Sequence, residues 1–193
     1  MKTSLKLSIL CAACAAPLIL AGNASSHDAA PSSERAAHAG PRYKPSPLVE
    51  DVRAATRRYK DINVAIAEGW VPATPCVSGP NSGAMGVHYV LPERVGDAVL
   101  GADVPEALIY EPLADGRLRL VGVEFIVLAE TWNTAHPDAQ PALEGHLLNL
   151  VGEPNRYRLP AFYELHVWAW ERNPEGNFAD WNPQVTCDQQ KTG

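Results

Sequence analysis

From Phe162 to Trp170 the chain reads Phe-Tyr-Glu-Leu-His-Val-Trp-Ala-Trp. Side chains alternate along a strand, so Phe162, Glu164, His166, Trp168 and Trp170 share one face and Tyr163, Leu165, Val167 and Ala169 the other. Both faces have the composition of an interior, which places the strand inside a sheet. Yet one face holds an acid and an imidazole, Glu164 and His166, pointing the same way about 7 Å apart. The run Arg117–Leu128 repeats the pattern. Its even positions are Leu118, Leu120, Gly122, Glu124, Ile126 and Leu128, a row that is apolar except for Glu124. An isolated buried carboxylate costs many kcal/mol, so Glu124 must be paired, protonated or bound to a cation. Gly122 beside it leaves room for something to approach.

Two further histidines join this pattern. His88 sits mid-strand among apolar neighbours in Gly86-Val87-His88-Tyr89-Val90, and His146 follows Glu144-Gly145 in a long polar segment where glycine frees the backbone to fold inward. His88, Glu124, His146 and His166 form a candidate ligand set for one divalent transition metal, with Glu164 as a further ligand or as a partner to a ligand. Imidazole with carboxylate suits zinc, copper, iron or manganese. An open coordination position would let such a site act on a small-molecule substrate; a closed one would sequester or deliver metal. The spacings of 36, 22 and 20 residues match no local metal motif. The plainer account pairs Glu124 with His88 or an arginine, and Glu164 with Arg119 or Arg158, in a metal-free module that binds a small molecule or a protein.

The N-terminus reads as an export leader. Met1 to Lys6 is short and basic, an apolar run spans Leu7 to Ala21, and Gly22 and Ala24 suit cleavage after Ala24. The run is too short for a comfortable membrane span, so a soluble periplasmic or secreted protein with no span after cleavage is expected. The leader carries Lys2 and Lys6 and no acid; without it the 16 basic residues fall to 14 against 22 acidic, a net charge of −8. That balance argues against nucleic acid as a partner. Cys11 and Cys14 leave with the leader, and Cys76 and Cys187 remain. In an oxidising compartment such a pair is most simply a disulfide, with two thiolate ligands as the alternative.

Residues 25–45 are rich in Ala, Ser, Pro and Gly and read as a flexible tail. Ser46-Pro47 opens an amphipathic helix, with Leu48, Val52, Ala55, Tyr59, Ile62 and Ile66 on one stripe and its end at Gly69. Strand-like runs follow at Met85–Leu91, Ala107–Glu111, Arg117–Leu128 and Phe162–Glu171, the second and third joined by a turn at Leu113-Ala114-Asp115-Gly116. The segment from Thr131 to Pro160 reads as a long loop. The expectation is an α+β fold: a mainly antiparallel sheet, one N-terminal amphipathic helix, a long loop, and closure by one disulfide. Residues 46–187 form the single globular domain, and 188–193 a C-terminal tail. A domain of about 140 residues needs no metal to hold its core.

The runs Pro75-Cys76-Val77, Gly83-Ala84-Met85-Gly86-Val87-His88-Tyr89, Leu120-Val121-Gly122-Val123-Glu124 and Tyr163–Trp170 resemble a family of exported bacterial proteins of uncharacterised activity. The resemblance covers most of the chain after Ser46 and implies export and a shared fold, with no activity carried over. Three histidines with one glutamate are also similar in composition to the metal sites of cupins, although the close His-x-His spacing of cupins is absent.

Overall fold

The computed structural model describes residues 46–190. The expected leader (1–24), the tail (25–45) and the last three residues lie outside the described residues.

Helix α1 (Pro47–Thr56) begins where Ser46 Oγ accepts from the Val49 N–H at 3.4 Å, and it buries Leu48, Val49 and Val52. One continuous helix to Gly69 does not form. A 3-10 turn at Arg57–Lys60 breaks the run, and Asp61 starts a second helix, α2 (Ile62–Ala67), by accepting from the Asn63 N–H at 3.0 Å. An aspartate offering a side-chain acceptor to free helical N–H groups is a strong start signal in its own right. It overrides the periodicity and leaves Ile66 53% exposed.

The remaining elements are β1 (Val71–Pro72), β2 (Val77–Gly79), β3 (Gly83–Val90), α3 (Pro92–Val95), β4 (Ala107–Pro112), β5 (Leu118–Leu128), α4 (Ala129–Ala135), β6 (Ala142–Leu143), β7 (His146–Leu147), β8 (Asn149–Val151) and β9 (Phe162–Val167). Their pairings are antiparallel. The main sheet runs β1-β3-β4-β5-β9-β8, with β2 also paired to β3, while β6 and β7 form a separate hairpin. The turn at Leu113–Gly116 is present, with Gly116 at φ +82°. The segment expected to be a long loop contains α4 and the short strands β6, β7 and β8, whose two or three residues are too few to show a period.

The two faces of the sheet differ in chemistry. One carries Leu108, Tyr110, Val123, Phe125, Val127, Leu165 and Val167 in a large core with α1, Tyr59 and Trp70. The other holds two smaller apolar groups, Ala84, Ile109, Val121, Trp168 and Val185, and Ala107, Ile126 and Phe162. A bulge separates the pairs Ile109↔Gly122 and Tyr110↔Leu120. It sends Leu120 to the large core and Val121 to the opposite face, so the even-numbered row inferred from sequence holds only from Gly122 onward.

The C-terminal segment lies along this second face. Asn182 bridges to Ala84, Val185 packs beside Ile109, and the Thr186 N–H donates to Glu111 Oε1 at 3.0 Å. A disulfide joins Cys187 to Cys76, with Cα atoms 5.6 Å apart, well within the range that a disulfide bridges. Among the described residues no helix is long and apolar enough to cross a membrane.

Candidate metal centre

The second face is apolar at both ends and polar in the middle. Glu124 on β5 stands directly opposite His166 on β9, and Ile126 stands opposite Glu164. His88 reaches in from β3, two strands away. On β4, Ala107 stands opposite Glu124 and Ile109 opposite His88, so the two side chains meet diagonally across that strand. His88 Nε2 thus lies 3.3 Å from Glu124 Oε2. His88 is held from behind by Thr74, whose Oγ1 is 3.2 Å from Nδ1 and accepts from the His88 backbone N–H at 3.4 Å. Gly122 is indeed a point of close approach, but to the chain itself: a Cβ there would sit 2.8 Å from the Val167 carbonyl oxygen.

His88, Glu124 and His166 each offer a ligating atom within 4.8 Å of the other two, and all three are buried. A second group, Glu164, His166 and Asp180, satisfies the same limit and shares His166 with the first. His146 stands in neither group. Its ring lies on Phe178 with centroids 3.8 Å apart, an apolar contact that occupies one face of the imidazole. Glu164 is 5% exposed and pairs with no arginine among the described residues; Arg119 instead bridges Glu111 and Glu171. Asp180, half-buried in the C-terminal segment, was not foreseen from sequence, where it lies in an Asn- and Pro-rich stretch with no periodicity to mark it.

Burial governs the protonation of this cluster. It pushes the His88 imidazole down to about 4 and, with the charge of His88 adding to the effect, the His166 imidazole down to about 3. Both rings are neutral at neutral pH. Burial also raises Glu124 well above the carboxylate range, and the charge of Glu164 and a hydrogen bond shared with it act in the same direction. Glu164 and Asp180 are raised as well, burial being the largest cause for each. The 3.3 Å His88–Glu124 contact thus joins a ring that burial keeps neutral to a carboxyl that burial biases towards its protonated form.

Among the described residues, three buried polar atoms in this cluster have no hydrogen-bond partner: His166 Nδ1, His166 Nε2 and Glu164 Oε2. Each such orphan costs about 1–3 kcal/mol. Beside the cluster, Thr74, His88, Glu124, Tyr157, Leu159 and Phe162 border a cavity of about 50 Å³, room for a molecule of only a few heavy atoms. Burial, followed by the charges of Glu124 and Glu164, raises the Tyr157 phenol, which donates to Met85 Sδ at 3.4 Å.

Glu106 lies outside the cluster and gives a separate prediction. It is 1% exposed, its Oε2 accepts from the Ile126 N–H at 2.9 Å, and burial lifts it from 4.5 to about 8. A carboxyl raised on folding contributes stability that is present below its unfolded value and is lost as pH rises towards its folded value. The Glu106→Gln variant keeps an acceptor for Ile126 but cannot ionise. Between about pH 5 and pH 7 it is expected to lose on the order of 2 kcal/mol less than the parent. Urea midpoints at the two pH values check this, and identical slopes in the two proteins would refute it.

No family model, curated protein or solved structure matches the chain.

Proposed function

We propose that this is an exported protein that holds a divalent transition metal on His88, Glu124 and His166, with Glu164 beside them. One observation carries the reading: both ring nitrogens of the buried His166 lack a partner while carboxylates and a second imidazole stand within ligating distance. A metal-free arrangement accounts for His88 and Glu124, which lie 3.3 Å apart, but leaves His166 unexplained. Buried polar groups are otherwise almost always paired. Imidazole and carboxylate donors together suit zinc, copper, iron or manganese. Export is supported by the leader-like start of the chain and by the disulfide, which oxidising compartments favour.

The cavity of about 50 Å³ favours a second, narrower reading, in which the metal acts on a substrate of a few heavy atoms. A larger substrate has no access to a cluster in which His88, Glu124 and His166 are each no more than 5% exposed.

The test is elemental analysis of untagged protein loaded with zinc, copper, iron and manganese in turn. The parent is expected to retain at least one equivalent of one of them after gel filtration. The His166→Ala and Glu124→Gln variants, checked for folding by circular dichroism, are expected to lose it with affinity reduced at least about 100-fold. Absence of bound metal from the parent under every loading would return the cluster to the metal-free account.

A further inference from the structure

We infer that the centre takes two divalent cations rather than one, with His166 shared between them and Asp180 completing the second position; this rests on the metal-binding reading above. The two ligand groups meet at a single residue. His88 and Glu124 flank His166 on one side of the cluster, and Glu164 and Asp180 form the other group with it, all ligating atoms in each group lying within 4.8 Å of one another.

A single cation on His88, Glu124 and His166 engages one nitrogen of the His166 ring. The other nitrogen, and Glu164 Oε2, would remain buried without partners. His166 is 1% exposed and Glu164 5%, so water in bulk does not relieve either. A second cation on Glu164, His166 and Asp180 removes both orphans together. The two nitrogens then give His166 one donor atom for each ion, and the ring releases its N–H proton to solvent on loading.

Charge points the same way. The cluster holds three carboxylates, Glu124, Glu164 and Asp180, and no lysine or arginine forms an ion pair with any of them among the described residues.

Asp180 is also held in place. The Trp168 indole donates to the Ala179 carbonyl at 2.6 Å, Asn173 Nδ2 donates to the Trp181 carbonyl at 2.8 Å, and Asn182 bridges to Ala84. The backbone is thus pinned on both sides of Asp180, while its carboxylate has no hydrogen bond or ion pair among the described residues. That is the arrangement of a ligand held ready by its neighbours.

Zinc stoichiometry by calorimetry and elemental analysis tests the inference on the full-length protein and the Asp180→Asn variant, whose half-buried loop position spares the core. Two equivalents in the parent and one in the variant are expected. A copper-loaded parent is further expected to show spin coupling between the two ions by electron paramagnetic resonance, and the variant the signal of an isolated ion. One equivalent in both proteins would overturn the two-cation inference and leave the single-metal reading standing. No zinc and no copper in either would sink both.

Discussion

Replacing Cys76 and Cys187 together with serine is expected to lower the free energy of unfolding by about 4–5 kcal/mol. The disulfide closes a loop of 111 positions, and a loop that long removes a large share of the unfolded chain's freedom. The native contacts around the bridge argue against a smaller effect. Cys187 packs at the edge of the group formed by Ala84, Ile109, Val121, Trp168 and Val185, and the Cys76 N–H donates to Gln190 at 2.8 Å. These contacts hold the C-terminal segment across the sheet, but most of them are local to the bridge and weaken with it. Since domains of this size are commonly stable by about 5–15 kcal/mol, the variant is expected to be marginal at 37 °C. Urea unfolding of the two proteins at equal slope measures the difference; a loss under about 1 kcal/mol would mean that the sheet alone positions the segment.

Metal affinity is expected to climb with pH, by about tenfold per pH unit over the range in which Glu124 holds its proton in the metal-free protein. The sign follows from the carboxyl pair. Burial, together with the charge of Glu164, keeps Glu124 protonated well above the usual range in the metal-free protein, so a cation must displace at least one proton to use both carboxylates. Each proton displaced makes affinity rise about tenfold per pH unit. The histidines do not oppose this trend, because burial already holds His88 and His166 neutral down to about 4 and about 3. Titrations in two buffers of different ionisation enthalpy count the protons released. A flat affinity over this range would show that Glu124 and Glu164 are not ligands, even if metal is bound. The stability of the loaded protein follows the same curve, since a ligand at 100 times its dissociation constant adds about 2.7 kcal/mol.

Much of the centre was legible because strand parity is a hard geometric rule. Glu124, Glu164 and His166 stood out as polar residues in apolar rows, and they do share one face of the sheet. The disulfide was legible from the count of cysteines left after a leader. Parity failed at the bulge near Val121, which depends on pairing with β4 and leaves no local mark. It also failed at Trp170, which packs against the large core because the Ala169 N–H turns back to the Val167 carbonyl and β9 ends early. His146 was drawn in by the glycine before it, but backbone freedom does not fix a destination, and Phe178 took the ring. Asp180 was missed for the opposite reason: its place is set by bonds from Trp168, Asn173 and Ala84, none of which is near it in sequence except through the fold.

The side chains of the candidate centre come from β3, β5, β9 and the C-terminal segment. His88, Glu124 and His166 lie 36 and 42 positions apart, so no short stretch of the chain contains that group. On the proposed reading, a cation on these three residues would not act as a nucleus for folding in the way that it does in a zinc finger. The sheet has to assemble first, through pairings distant in sequence, which is the slow class of folding reaction. During that interval the orphaned atoms of His166 and Glu164 work against the native state. On the proposed reading the ion would enter last, as a lock on a structure that has already formed.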